Sequence, residues 1–226
     1  FLQADAWEEC RRAFAAGGIM IPCEKDADSL ICGAKNGDIV RLPADKLCAW
    51  QGQRQVVRIG EAPRAAACFW KEGGDILLIS EKGQVLRTHV SDLYKRVDIG
   101  GGLTKGMQMK KKTDDRLCCC LVYRPKRSLT AVSQQRKLLV LRGDSEEKAQ
   151  LRAQGHVGEG VCLVRVEGSD RLAEVLYTDQ AVLLVSDSGY AQCRDVSVLR
   201  EKGRGAKGIE GMKRGQIIRA VCAKVK

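Results

Sequence analysis

Two runs of basic residues are the part of this 226-residue sequence best suited to chemistry with a partner. Residues 105–142 hold eleven Lys/Arg against two acids, for +9, and residues 196–226 hold nine against two, for +7. The whole chain carries +11, so everything outside these two segments sums to −5. A mixed, solvated surface does not segregate charge in this way, and such clustering suggests a track for a polyanion. Membrane headgroups are a poorer match, because neither cluster forms a basic amphipathic helix with apolar anchors. Glycines accompany the charges. Lys105 lies in Gly100–Gly106 and is followed by Lys110, Lys111 and Lys112. Arg204 and Lys207 lie in Gly203–Gly208, with Lys202 before them and Lys213 and Arg214 after. Glycine lets the backbone come close to a phosphate and present N–H groups, while Lys and Arg supply the charge.

Catalytic residue types are arranged less suggestively. The sequence has no P-loop, no Ser/His or Cys/His pair in a supporting context and no acidic metal cluster, so no catalytic residue is expected. The eleven cysteines are an odd number, which excludes complete pairing within one chain. They include no C-x-x-C, and His89 and His156 are the only histidines, so zinc-knuckle spacing is absent. Cys118-Cys119-Cys120 cannot share one face of a strand. The cysteines read as small core residues of a reduced, cytoplasmic protein. No apolar run approaches the roughly 20 residues of a membrane span. The chain begins at Phe1 with no secretory segment after it, which reads as a processed or excised fragment.

The elements that must position the basic residues come from an internal repeat. Asp28–Arg41, Asp75–Arg87 and Gln180–Arg194 each read as a β-rich run, a polar turn with glycine and a second run ending in Arg. This is a hairpin signal. The turn glycines are Gly37, Gly83 and Gly189, at spacings of 46 and then 106, twice 53. A fourth copy is therefore expected near residue 136, where Thr130–Leu141 keeps the apolar-turn-apolar form without the glycine. Downstream of each hairpin comes a Gly/basic loop and then further strands. The repeats are set at about 28–70, 75–123, 128–177 and 180–226, together forming a domain over 28–226. Units of about 50 residues with several short strands imply propeller-like blades, an all-β architecture of about four to five such units. Residues 1–27 read as a linker with a short helix, because Asp5 and Glu8 resemble a capping box and Gly17-Gly18 would end it. Ile19–Pro22 is a candidate edge strand. Arg41, Arg87 and Arg194 end the second strand of three hairpins and are expected at equivalent positions. Trp50, Trp70, Tyr94, Tyr123, Tyr177 and Tyr190 read as packing residues.

The segment Lys202–Met212, in phase with these repeats, resembles the Gly/Arg/Lys loop of the C-terminal domains of bacterial type IIA topoisomerase A subunits. Those are the A subunits of DNA gyrase and topoisomerase IV. The Val-Leu-Leu-Val hairpin before it and Gly215–Val221 after it fit the same domains. The resemblance is strongest over 180–222 and fair over 75–123. It implies a β-pinwheel, a propeller-like fold of about four to five four-stranded blades that exchange strands and whose basic rim bends double-stranded DNA. It further implies that this fragment does no chemistry. The strand-cleaving tyrosine, ATP and Mg would belong to the rest of the enzyme, and the partners would be its cleavage domain and ATPase subunit. Gyrase A domains of this kind carry the heptapeptide Gln-Arg-Arg-Gly-Gly-Lys-Gly. Here Gln53-Arg54-Gln55 lacks the glycines and Lys202–Gly208 is a degenerate match. That departure favours the topoisomerase IV A subunit, with a gyrase A domain that wraps DNA chirally as the alternative. A third reading is a propeller-like protein-interaction module. Glu159 stands in the third repeat where Lys105 and Lys207 stand in the second and fourth, so a DNA path would touch the third repeat less.

Overall fold

The computed structural model describes residues 26–48, 66–71, 73–90, 103–110, 114–143, 150–155, 157–200 and 202–223. The helix and edge strand expected within 1–27 lie outside the described residues apart from residues 26–27, as do Trp50, Tyr94, Lys111 and Lys112.

The described residues are almost entirely β. The first hairpin is β1 (Ser29–Gly33) and β2 (Asp38–Pro43), followed by the single turn of helix α1 (Ala44–Cys48) and β3 (Ala66–Trp70). Next come β4 (Asp75–Ser80), β5 (Gln84–His89), the short β6 (Thr104–Lys105) and β7 (Leu117–Val122). The third hairpin is β8 (Leu129–Ser133) and β9 (Lys137–Leu141), with β10 (Val161–Cys162) and β11 (Leu172–Tyr177) after it. The last is β12 (Ala181–Ser186) and β13 (Ala191–Asp195), then β14 (Ile209–Glu210) and β15 (Ile217–Ala223).

Four turns close the hairpins with one hydrogen bond each. Gly37 N–H donates to Ala34 C=O, Gly83 to Ser80, Arg136 to Ser133 and Gly189 to Ser186, over 2.9–3.2 Å. The three glycines have φ of 78–86° and Arg136 has φ 70°. The third turn thus keeps the left-handed geometry that its missing glycine would have favoured. In three of the turns a serine hydroxyl also accepts a backbone N–H, from Gln84, Lys137 and Tyr190.

These hairpins nucleate four antiparallel sheets, ordered β3-β1-β2-β6, β10-β5-β4-β7, β11-β8-β9-β14 and β13-β12-β15. A long strand flanks the first strand of each hairpin: β3, β7, β11 and β15. The short strand after each Gly/basic loop behaves differently. It pairs with the hairpin before the one it follows, β6 with β2, β10 with β5 and β14 with β9. Blades are therefore completed by strands from later in the chain.

The chain divides into two compact units. One comprises Phe1–Leu78, Leu86–Tyr123 and Ala153–Glu159. Its core gathers Ile31, Ile39, Trp70, Ile76, Leu78, Met107 and Leu117 from alternate strand positions. A second cluster, with Val40, Leu42 and Leu47 of α1, covers the other face of the first sheet. The other unit comprises Ile79–Val85, Arg124–Arg152 and Gly160–Lys226. Its core packs Val132, Leu138, Val182, Leu184, Met212 and Ile217. Strands buried on both faces read as continuous apolar runs, which is how DILLIS of β4 and KLLVL of β9 appear in the sequence. Cys32, Cys68 and Cys120 are buried, and the Cys68 and Cys120 sulfurs lie 3.2 Å apart. Burial, with Cys68 beside it, pushes the Cys32 thiol up to about 12. Cys193 and Cys222 are exposed, so core filling does not describe every cysteine.

Candidate nucleic-acid interface

In the second unit, the Gly/basic loop before β14 is held in place by its backbone. Gly205 N–H donates to Leu163 C=O at 2.8 Å, and Arg165 N–H donates to Ala206 C=O at 3.0 Å. Gly205 and Gly208 have φ of 81° and 76°, and the site of a Cβ on Gly208 lies 2.8 Å from Leu138 C=O. Only glycine fits there, because a side chain would meet backbone. The loop therefore runs against segment 160–167 and presents Arg204 and Lys207 to solvent. Arg204 Nη1 donates to Cys162 C=O at 3.2 Å, and Lys207 Nζ pairs with Glu167 at 2.8 Å, both partners being about 60% exposed. The Lys207 hydrogen bond, with help from the charges of Arg165 and Lys137, holds the Glu167 carboxyl below the usual glutamate range. Three cations thus act on one carboxylate, and the exposed surface of Arg165, Lys137, Arg204 and Lys207 keeps a positive excess over Glu167 and Glu210. Arg165 and Lys137 were not candidates from the sequence, since neither belongs to a Gly/basic loop. Lys137 does follow the turn residue of the third hairpin, and that was the available signal.

Lys213 and Arg214 lie after β14 and are exposed. Arg214 places its guanidinium 5.7 Å from the Tyr190 ring centroid and donates to the Tyr190 hydroxyl at 3.2 Å. Tyr190 itself is 48% exposed, so it is not the packing residue expected. Lys202 is half-buried at the start of the loop.

The first unit's candidates also have partners. Lys105 Nζ lies 3.1 Å from Asp38 and donates to Asn36 C=O, and Lys110 pairs with Glu159 at 3.8 Å. The expected equivalence of Lys105, Glu159 and Lys207 does not hold. Thr104, Val161 and Ile209 occupy the same register against their hairpins. Lys105 therefore corresponds to Cys162 and Glu210, while Glu159 and Lys207 do correspond. Counting from the glycines misses this, because Gly106 follows β6 whereas Gly160 and Gly208 precede β10 and β14.

Arg41 and Arg87 are equivalent, and both are clamped. Arg41 Nε donates to Ser29 Oγ at 3.0 Å and lies 4.5 Å from the Trp70 ring centroid. Arg87 Nε donates to Asp75 at 2.6 Å and lies 3.9 Å from the Tyr123 centroid. Arg194 departs from this arrangement. It is five residues past its turn glycine instead of four, so it pairs with Val182 and projects from the opposite face. Cys193 takes the equivalent place. Burial alone would raise the Asp75 carboxyl, but hydrogen bonds from His89 and Arg87 outweigh it and hold the group below the usual aspartate range.

Among the described residues no group of three or more His, Cys, Asp or Glu side chains could hold a metal, and no helix is long and apolar enough to cross a membrane.

Comparison with known proteins defines the class. The family model described as DNA gyrase C-terminal domain, beta-propeller, matches residues 74–96 and 180–217. No curated protein matches significantly. Three solved structures share the fold. The C-terminal domain of DNA topoisomerase IV has TM-score 0.70 and 13% identity, over 89% of this chain and 63% of that one. The DNA gyrase A C-terminal domain has TM-score 0.71 and 17% identity, over 87% and 66%. The E. coli ParC C-terminal domain has TM-score 0.63 and 16% identity, over 88% and 82%. The chain spans about two thirds of the first two. The matched segments hold two of the hairpins and the loop Lys202–Gly208. This chain is an all-β, propeller-type domain similar to the C-terminal domains of type IIA topoisomerase A subunits, and the resemblance read from Lys202–Met212 is borne out.

Proposed function

We propose that this chain is the DNA-binding C-terminal domain of a topoisomerase IV A subunit, engaging duplex phosphates along its exposed basic loops. The observation that carries the reading is the glycine-framed loop 203–208, which sets Arg204 and Lys207 beside Arg165 and Lys137 on one exposed surface. Fixed backbone with exposed cations at its edge suits phosphate contact without base reading. Lys213, Arg214, Lys202, Lys105, Lys110 and the Lys111–Lys112 pair extend this role, while Arg41 and Arg87 shape the strands that carry it. The domain does no chemistry itself. In the full enzyme it would act beside the cleavage domain and the ATPase subunit, steering which DNA segments are captured. The degenerate heptapeptide favours topoisomerase IV over gyrase. The gyrase reading is supported by the family-model description. It would give a change in linking number when nicked circles are sealed with the domain bound, and the topoisomerase IV reading little or none.

A gel-shift titration with duplex DNA tests the site. Lys207→Glu, which adds a charge beside Glu167, is expected to weaken binding at least ten-fold, and Glu159→Ala to change it less than two-fold. Equal effects would remove the loop from the DNA path. Absence of duplex binding in the unsubstituted chain would favour the protein-interaction reading.

A further inference from the structure

Arg136 is the one residue that takes the left-handed place of a hairpin turn without being glycine. Gly37, Gly83 and Gly189 have φ of 86°, 80° and 78° there, and Arg136 has φ 70°. A side chain in that conformation carries a backbone cost that glycine avoids. The turn itself has no need of arginine, because main chain and serine close it. Arg136 N–H donates to Ser133 C=O and Lys137 N–H to Ser133 Oγ, both at 3.1 Å.

The side chain carries a second cost. Segment 211–217 wraps around this turn, with Gly211 N–H donating to Arg136 C=O at 2.7 Å and Ile217 N–H to Gln134 C=O at 2.8 Å. The half-buried Arg136 side chain lies against that wrap. Among the described residues its one hydrogen bond runs from Nη1 to Gly215 C=O at 3.5 Å, its Nε–H is buried without an acceptor, and no carboxylate pairs with it. Asp187, which meets the same segment, accepts the Gln216 N–H at 2.8 Å.

The second hairpin shows how a bracing cation sits in such a wrap. There Leu163 and Leu172 N–H groups bond Gly83 and Glu81, and Lys82 donates to Gly168 C=O at 2.8 Å and to Asp170 C=O at 3.0 Å. Two short bonds hold that segment, whereas Arg136 offers its own segment one long bond. Backbone strain and an unmet cation at a single residue point to an anionic ligand.

The surroundings specify the anion. Lys137, next in the chain, is exposed on the surface of Arg165, Arg204 and Lys207, and Lys213 and Arg214, just before Gly215, are exposed as well. Arg136 stands where these two basic groups of the second unit meet. We propose that Arg136 is a phosphate clamp joining them, its guanidinium swinging off Gly215 C=O onto a phosphodiester of duplex DNA. This rests on the DNA-binding reading above. The swing exchanges one 3.5 Å bond for a two-pronged N–H contact and brings Nε–H to an acceptor.

The test is duplex binding by the whole chain over a range of salt, beside the denaturation midpoint of each variant. Arg136→Gly should weaken binding about ten-fold at the lowest salt and make the log–log slope shallower by about one, the share of a single phosphate. The same variant should be more stable than the parent, so misfolding would not account for the loss. Arg136→Lys keeps the charge without the fork, and should restore the slope while recovering only part of the affinity. The Arg136 Nε–H resonance of the isotope-labelled chain should shift as duplex is added. Parental slope and affinity in Arg136→Gly, a loss of stability in it, or an Arg136→Lys slope equal to that of Arg136→Gly would overturn the clamp and leave the DNA reading standing. Absence of duplex binding in the unsubstituted chain would overturn both.

Discussion

Arg87 and Lys207 are both paired basic residues, and their surroundings give them different work. Arg87 is 22% exposed between the Asp75 carboxylate and the Tyr123 ring. Lys207 meets Glu167 in water, where such a pair is worth little and exchanges readily for a phosphate. Asp75→Asn should therefore destabilise the fold by about 1.5–3 kcal/mol, the usual worth of a hydrogen bond to a charged group, as read in a urea melt. The pH dependence has a definite sign. The Asp75 carboxyl is depressed in the folded state, so its contribution is fully present above the ordinary aspartate range. It is lost as pH falls through the lower folded value. The unsubstituted chain should lose stability below about pH 4 more steeply than Asp75→Asn. Equal acid limbs in the two unfolding curves would show that the clamp is not formed. This distinction between clamp and contact was not legible in the sequence, where Arg41, Arg87 and Arg194 look alike. A one-residue difference in distance from the turn glycine put Arg194 on the other face, and the aromatic partners lie about 30 residues or more downstream.

The hairpin turns show what periodicity can reveal at the scale of the element. The spacing of three glycines pointed to residue 136, and Arg136 holds the turn there with φ 70°. An L-residue in that conformation costs roughly 1 kcal/mol, and the Arg136 Nε is buried with no hydrogen-bond partner among the described residues. Arg136→Gly should accordingly raise stability by about 0.5–1 kcal/mol, measured as a shift of the denaturation midpoint. Gly83 is the opposite case. A Cβ there would run into Val164 C=O of the donated strand, on a backbone of φ 80°. Gly83→Ala should cost about 3 kcal/mol or more, at the upper end of single-residue effects, and a loss under 1 kcal/mol would mean that β10 is not seated against this turn. The hairpins and their flanking strands were legible because alternation and turn chemistry are local. The two-residue strands β6, β10 and β14 were not, since they acquire β geometry only by adding to an edge formed earlier in the chain. The expected correspondence of Lys105 with Lys207 failed because Gly106 lies after β6 and Gly208 before β14.

For the whole molecule, composition gave the basic excess and the repeat gave the blades, but only the fold brings residues 137–138 and 162–167 beside residues 203–208. Arg165 and Lys137 sit outside the loops that first drew notice and join the site through that packing. The two-unit division likewise has no signature in the roughly 50-residue period, because β4 and β5 contribute to both units. The central claim is that exposed cations track phosphates without reading bases. The most direct test is the salt dependence of duplex binding, with the association constant measured between 50 and 200 mM salt on two unrelated sequences. Six to ten phosphate contacts predict a fall of about 10³–10⁵ over that range, linear in log–log form and the same for both duplexes. A salt-independent constant, or one that follows sequence and not ionic strength, would contradict the account.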